Sequence, residues 1–263
     1  MSGERRPPRG PDRPEASQRA ELRRKAQELV EKTGIPVNLA WQVAQGTLSL
    51  NEVLKRMATR RRVDHLMENH GLPKSLATQI ALGQADLDHV LRKQRLEQHL
   101  EENRERSILA ASAADGTTIH LGLLGGRRVT GRVQSVGRYD FEFLHVDPRS
   151  GADKEAETIH KLHCKYGCRA EDARGLRNQI KRDKSLPAKA EPIWKPQERY
   201  GCSDRRLFGY LDEEAAVQCS LQEGEVLRGL VRWMGRWEFG LELKKKSVMA
   251  VVFRHALVDL GTV

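Results

Sequence analysis

The feature that most constrains this chain is a duplication in its second half. The stretch from Gly126 to Phe141 recurs without a gap 98 places later, from Gly224 to Phe239. Gly126, Gly131, Val133, Gly137, Arg138 and Phe141 fall on Gly224, Gly229, Val231, Gly235, Arg236 and Phe239, and Tyr139-Asp140 falls on Trp237-Glu238. Two copies must share one supersecondary plan, so whatever one copy forms, the other must form too. The period-two alternation around Val129, Val133, Phe141 and Phe143 is that of a half-buried antiparallel strand pair. Gly131 and Gly229 sit mid-strand, where a missing side chain permits a sharp bend or a close backbone approach. Gly137-Arg138 and Gly235-Arg236 are the expected turns.

The first half is also duplicated, with a different period. Shifting by 37 places lays Leu29, Gly34, Pro36, Leu39, Ala40 and Gln42 on Leu66, Gly71, Pro73, Leu76, Ala77 and Gln79, and Gly46, Leu50 and Val53 on Gly83, Leu87 and Val90. Each unit reads as a helix ending at Gly34 or Gly71, the expected left-handed cap. A short helix then opens at Pro36 or Pro73, where a missing N–H costs little, and closes at Gly46 or Gly83. A further helix follows with an apolar stripe. A charged helical connector is expected over roughly 91–108. Of the thirteen aromatic residues only Trp41 precedes Tyr139, so the chain divides into a helical half and a β-rich half.

The strand motif resembles the first motif of Sm-like proteins, in particular the Hfq-type RNA chaperones: a glycine on a bent strand, alternating apolar residues, a tight turn, then a strand opening with an aromatic. The second copy continues into Phe253-Arg254-His255-Ala256-Leu257, similar to the aromatic-basic-His-Ala-aliphatic string of the second Hfq motif. In the first copy the corresponding strand lies near Glu157–His163, with its register open and an insert over Asp147–Ala156 before it. Gly137 and Gly235 stand where the family usually has aspartate. The resemblance implies small SH3-type five-stranded barrels that bind single-stranded RNA. By position it makes Tyr139 and Trp237 stacking residues, and Arg254, His255, Lys161, Arg138 and Arg236 basic contacts. It also implies self-association through open barrel edges.

The 37-residue unit resembles the helix-turn-helix of Cro/repressor-type DNA-binding proteins. Asn38, Trp41, Gln42 and Gln45, or Lys74, Thr78 and Gln79, would then lie on the recognition helices. Val30 and Met67 stand where that motif prefers alanine, and Ala40 and Ala77 where it prefers a β-branched residue.

Composition excludes several classes. The net charge of +10 favours an anionic partner such as nucleic acid. No run of about twenty apolar residues exists to span a membrane. The N-terminus is Arg- and Pro-rich, without the apolar core of a secretory signal. Four cysteines do not make a disulfide framework and suit a reducing cytoplasm. His160, His163, Cys164 and Cys168, with Cys202 as a more distant candidate, lack the paired spacing of a zinc site. No phosphate loop, carboxylate pair or nucleophile with a base is recognisable, so neither catalysis nor a cofactor is expected.

The expected fold is α+β. It comprises a basic disordered tail (1–18), a helical repeat domain (19–109), a first Sm-like barrel (115–166), a linker with a short helix near 176–181 (167–204) and a second barrel (205–263). The expected function is non-catalytic binding of single-stranded RNA. The alternatives are a DNA-binding regulator using the helical units, with the barrels for oligomerisation, and a scaffold with no nucleic-acid role.

Overall fold

The structure is a computed structural model that describes residues 16–147, 149–243 and 248–263. It is α+β, and it divides into two compact units, one ending at Arg92 and one beginning at Lys93. Of the tail expected over 1–18, residues 1–15 lie outside the described residues, and 16–18 belong to the first helix.

In the first unit, α1 (Ala16–Thr33), α2 (Val37–Ala44), α3 (Leu50–His70) and α4 (Lys74–Ala81) lead into α5 (Leu87–Glu102). The 37-residue repeat holds at the level of the backbone. Gly34, Gly46, Gly71 and Gly83 all have positive φ, the conformation only glycine adopts without cost. Pro36 and Pro73 precede the short helices with the same dihedrals, φ −58° and ψ 142°. Ser49 caps α3 in a capping box with Glu52, and Asp86, one period on, accepts from the His89 N–H at 2.7 Å. Two small cores result, one around Ala26, Ile35, Ala40 and Val53 and one around Val63, Leu66, Leu72, Ala77 and Ile80. Helix α3 serves both, and its middle, residues 54–62, contains no buried residue.

The second unit adds α6 (Ile108–Asp115) and then β1 (Ile119–Leu123), β2 (Arg128–Val136), β3 (Asp140–Val146), β4 (Asp153–His160) and β5 (Cys164–Arg169). After α7 (Ala173–Arg177), β6 (Lys181–Arg182) and α8 (Asp204–Asp212) come β7 (Ala216–Leu221), β8 (Glu225–Met234), β9 (Glu238–Leu243), β10 (Met249–Phe253) and β11 (Leu257–Thr262). Two small five-stranded barrels with open edges were expected. The structure instead forms one eleven-stranded antiparallel sheet, in the order β11-β7-β8-β9-β10-β5-β1-β2-β3-β4, with β6 added to β8. The physical reason is the junction. Gly167 and Tyr166 of β5 pair with Val251 and Val252 of β10, joining the two strand sets. Several expected boundaries also move: the connector over 91–108 is the end of α5, a turn and the start of α6, the linker helix lies at 173–177, and α8 precedes the second set.

Both strand sets repeat the same devices. The ladder between β2 and β3 slips between Val133 and Ser135, and that between β8 and β9 between Val231 and Trp233, 98 places on. A Cβ on Gly131 would overlap the Leu144 carbonyl oxygen, and one on Gly229 the Glu242 carbonyl oxygen. These glycines are therefore required where the bent strand meets its neighbour's backbone. The first set closes over Leu121, Val133, Phe141, Phe143 and Ile159, and Phe253 of the second set is buried in that same core. The second set packs Leu221, Val231, Phe239, Leu241 and Leu257 against Leu207 and Phe208 of α8.

A buried ionic cluster ties the sets together. Lys165 of β5 pairs with Glu223 and Glu225. Glu223 also accepts from the N–H groups of Gly125 (2.7 Å), Gly126 (3.1 Å) and Ala190 (3.0 Å). Desolvation alone would raise the Glu223 carboxyl. Lys165 and the three N–H donors outweigh it and hold the group below its ordinary range.

The two ends of the sheet differ. At β11 the Tyr200 hydroxyl donates to the Leu260 carbonyl and accepts from its N–H, both at 3.2 Å, and Arg206 donates to the same carbonyl. At β4 the outer strand presents exposed Asp153, Lys154 and Glu155, the charged edge by which natural sheets discourage indiscriminate pairing.

Candidate functional site

The two turns set by the duplication hold the most exposed aromatic rings of the sheet. The Gly137 N–H donates to the Asp140 carbonyl at 2.9 Å, and the Gly235 N–H to the Glu238 carbonyl at 2.8 Å. This tight closure leaves the third turn residue facing outward. Tyr139 is 58% exposed and Trp237 62%, so neither plugs a core. Each carries its neighbouring arginine over the ring face, Arg138 at 5.0 Å from the Tyr139 centroid and Arg236 at 4.7 Å from the Trp237 centroid. Trp233, by contrast, is buried, with Arg106 at 4.4 Å over its ring, and a Cβ on Gly240 would run into its indole.

The structure settles the register left open in the first copy. The Lys161 N–H donates to the Tyr139 carbonyl at 2.8 Å, and the Arg254 N–H to the Trp237 carbonyl at 2.9 Å. Lys161 therefore corresponds to Arg254, His160 to Phe253, Leu162 to His255 and His163 to Ala256. Both long basic side chains bend back over their own turns. Lys161 Nζ donates to the carbonyls of Gly137 and Arg138. Arg254 donates to those of Gly235 and Arg236, to Cys202 and to the Asp204 carboxylate. The His255 ring bonds through Nε2 to the Cys164 carbonyl of β5 at 2.8 Å. Burial pulls its pKa down to about 4, so the ring is neutral at physiological pH. Phe253-Arg254-His255 is thus built into the second set's junction with the first, while Arg138 and Arg236 remain at the surface beside their aromatics.

At the equivalent place in the first set β4 is the last strand of the sheet among the described residues, and His160 stays half-exposed. Its ring lies parallel to Tyr139, within 3°, with centroids 6.5 Å apart. It meets Trp194 of the linker edge-on at 4.9 Å and His163 at 6.2 Å. Desolvation, then the neighbouring His163, lowers the His160 pKa. His160 Nδ1 accepts from the Leu162 N–H at 3.2 Å, which leaves its Nε2 to act as a donor. Trp194 is itself 59% exposed. The surroundings of Trp237 are different, since Arg236 shares a groove with Glu97, Glu101, Arg104 and Asp204.

In the helical unit, Asn38, Gln42 and Gln45 on or beside α2 and Lys74 and Gln79 on α4 are exposed. Trp41 packs against the first small core. Thr78 is half-buried, and its hydroxyl donates to the Lys74 carbonyl at 2.7 Å. Between these short helices the bare middle of α3 carries Lys55, Arg56, Arg60, Arg61 and Arg62, all exposed.

Burial raises the thiol pKa of Cys168 to about 12 and pushes those of Cys164, Cys202 and Cys219 up as well. Among the described residues no three His, Cys, Asp or Glu side chains converge as a metal site would require. No helix among them is long and apolar enough to cross a membrane. Residues that sequence reasoning did not assign to a site include Trp194, whose only signal was an indole in a Pro-flanked polar stretch, and His160, considered there only as a metal ligand. Comparison with family models, with curated proteins and with solved structures returns no match.

Proposed function

We propose that this chain binds single-stranded RNA through the two aromatic turns of its strand sets and acts by binding alone, without covalent chemistry. The observation that carries this is the pair of outward-facing rings, Tyr139 and Trp237, each held by a tight turn under an arginine. Exposed aromatics beside cations are what a base and its phosphate require. An unpaired base stacks on the ring, displaces the guanidinium from the ring face, and leaves it free to meet the phosphate. The internal order 5-1-2-3-4 of each set, with the fourth strand of one paired to the fifth of the other, supports reading the sets as Sm-like units. Lys161, Arg254 and His255 then serve by fixing the turns and the junction. Neither end of the sheet invites self-association, because Tyr200 and Arg206 occupy β11 and charged side chains line β4.

A second reading has its own observation. The five exposed cations of α3 lie between two helix-turn-helix-like units, and among the described residues none of them forms an ion pair, an arrangement suited to duplex phosphates. Fluorescence anisotropy of the full chain with labelled single-stranded RNA and duplex DNA, across a salt series, separates the two. RNA binding that weakens when Tyr139 and Trp237 become leucine supports the first. A preference for duplex DNA that survives those changes and is lost when Arg60, Arg61 and Arg62 become glutamine supports the second and overturns the first.

A further inference from the structure

The two strand sets are not equivalent as binding sites, and the difference lies at one position. In the second set Phe253 is buried in the core of its neighbour. In the first set the corresponding residue is His160, and β4 ends the sheet, so no further set covers it. The linker returns there instead and sets Trp194 against the imidazole at 4.9 Å. Arg199 fastens this segment by donating to the carbonyls of Ile193 (2.9 Å) and Trp194 (3.0 Å), so the indole is held in place while 59% of it stays exposed. Tyr139, His160 and Trp194 therefore form a continuous chain of rings drawn from a turn, a strand end and the linker.

We infer that Trp194 and His160 complete a base-binding site with Tyr139, and that this composite site, rather than the Trp237 turn, is the main seat of single-stranded RNA on this chain. The inference rests on the RNA-binding reading above and adds to it a linker residue and a ranking of the two turns. Three rings offer successive bases two aromatic faces and one hydrogen-bonding edge, His160 Nε2, and Arg138 stands alongside for a phosphate. The Trp237 turn offers one ring, and the groove beside its Arg236 is lined by Glu97, Glu101 and Asp204 as well as Arg104 and Arg254, with no second ring among the described residues.

The test uses the full chain and a labelled ten-nucleotide oligouridylate or oligoadenylate. Trp194→Ala should weaken binding roughly 5- to 160-fold, the span one stacked base supports, and Trp194→Phe should restore most of it. Because both residues belong to one site, Tyr139→Ala with Trp194→Ala should weaken binding by less than the product of the single effects. Trp237→Ala should have the smaller effect and combine independently. Since the Trp194 ring is exposed, thermal melts of the variants should match the wild type. If RNA binds and Trp194→Ala changes nothing, or Trp237→Ala dominates, the composite site is wrong and the RNA-binding reading stands. If the wild type binds neither oligomer, both fail.

Discussion

Replacing Glu223 by alanine tests the packing of the strand sets most severely. Lys165 is 1% exposed and Glu223 2%. The substitution leaves a buried ammonium with only the partly covered Glu225 for company, and strands the N–H groups of Gly125, Gly126 and Ala190. Breaking a buried pair by removing one partner costs about 3–5 kcal/mol. Each orphaned buried donor adds about 1–3 kcal/mol unless water reaches it. A loss of at least about 4 kcal/mol is therefore expected. Lys165→Met should cost less, about 2 kcal/mol, because Glu223 keeps its three backbone donors. The measurement is denaturant unfolding followed by the fluorescence of buried Trp233. The sign with pH is fixed by the lowered Glu223 pKa: its stabilisation is present above the ordinary carboxyl pKa and fades as pH falls through the lowered one. Glu223→Ala should accordingly flatten the acid limb of the stability profile. A loss under about 1 kcal/mol, or Lys165→Met proving the more damaging, would refute this account of the cluster.

Three further outcomes follow from particular contacts. Gly131→Ala should destabilise by about 2–3 kcal/mol in a chemical melt, because its Cβ meets backbone that can yield only by separating β2 from β3, while Gly201→Ala, which meets nothing, should be silent. Glu238, 2% exposed, has its pKa raised by burial to about 7. Its neutral form therefore favours the fold at low pH, and that contribution is lost as pH rises from about 4.5 to about 7. Glu238→Gln should remove this fall and leave the variant more stable than the wild type at pH 8; an unchanged profile would contradict the assignment. Tyr200→Phe combined with Arg206→Met uncovers the β11 edge and should produce concentration-dependent association in sedimentation velocity, and a variant that sediments like the wild type would show that the edge is not guarded by these residues.

The repeats were the most legible part of the chain, because a duplication leaves the same glycines and prolines wherever the backbone needs the same unusual dihedrals. Gly34 and Gly71, or Gly131 and Gly229, could be paired by eye, and the backbone obeys the pairing. The junction was not legible, since the pairing of Tyr166 and Gly167 with Val251 and Val252 depends on which edges meet, and alternating apolar residues describe a strand without naming its neighbour. Exposure was equally hidden at Tyr139 and Trp237, where the same ring in the same turn would suit a core or a surface. For Arg254 and His255 the string was visible, but its bonds to Asp204, Cys202 and Cys164 come from segments far away in sequence. Lys165 looked like an ordinary strand lysine, because nothing local announces that Glu223 and Glu225 will be folded against it.

The central claim, that single-stranded RNA sits on the aromatic turns, is tested most directly by mapping photo-crosslinks from 4-thiouridine RNA on the full chain by peptide mass spectrometry. Crosslinks should concentrate on the peptides holding Tyr139 and Trp194, with a weaker set at Trp237. Crosslinks confined to α2, α3 and α4, or none above the level of an unrelated basic protein, would contradict it.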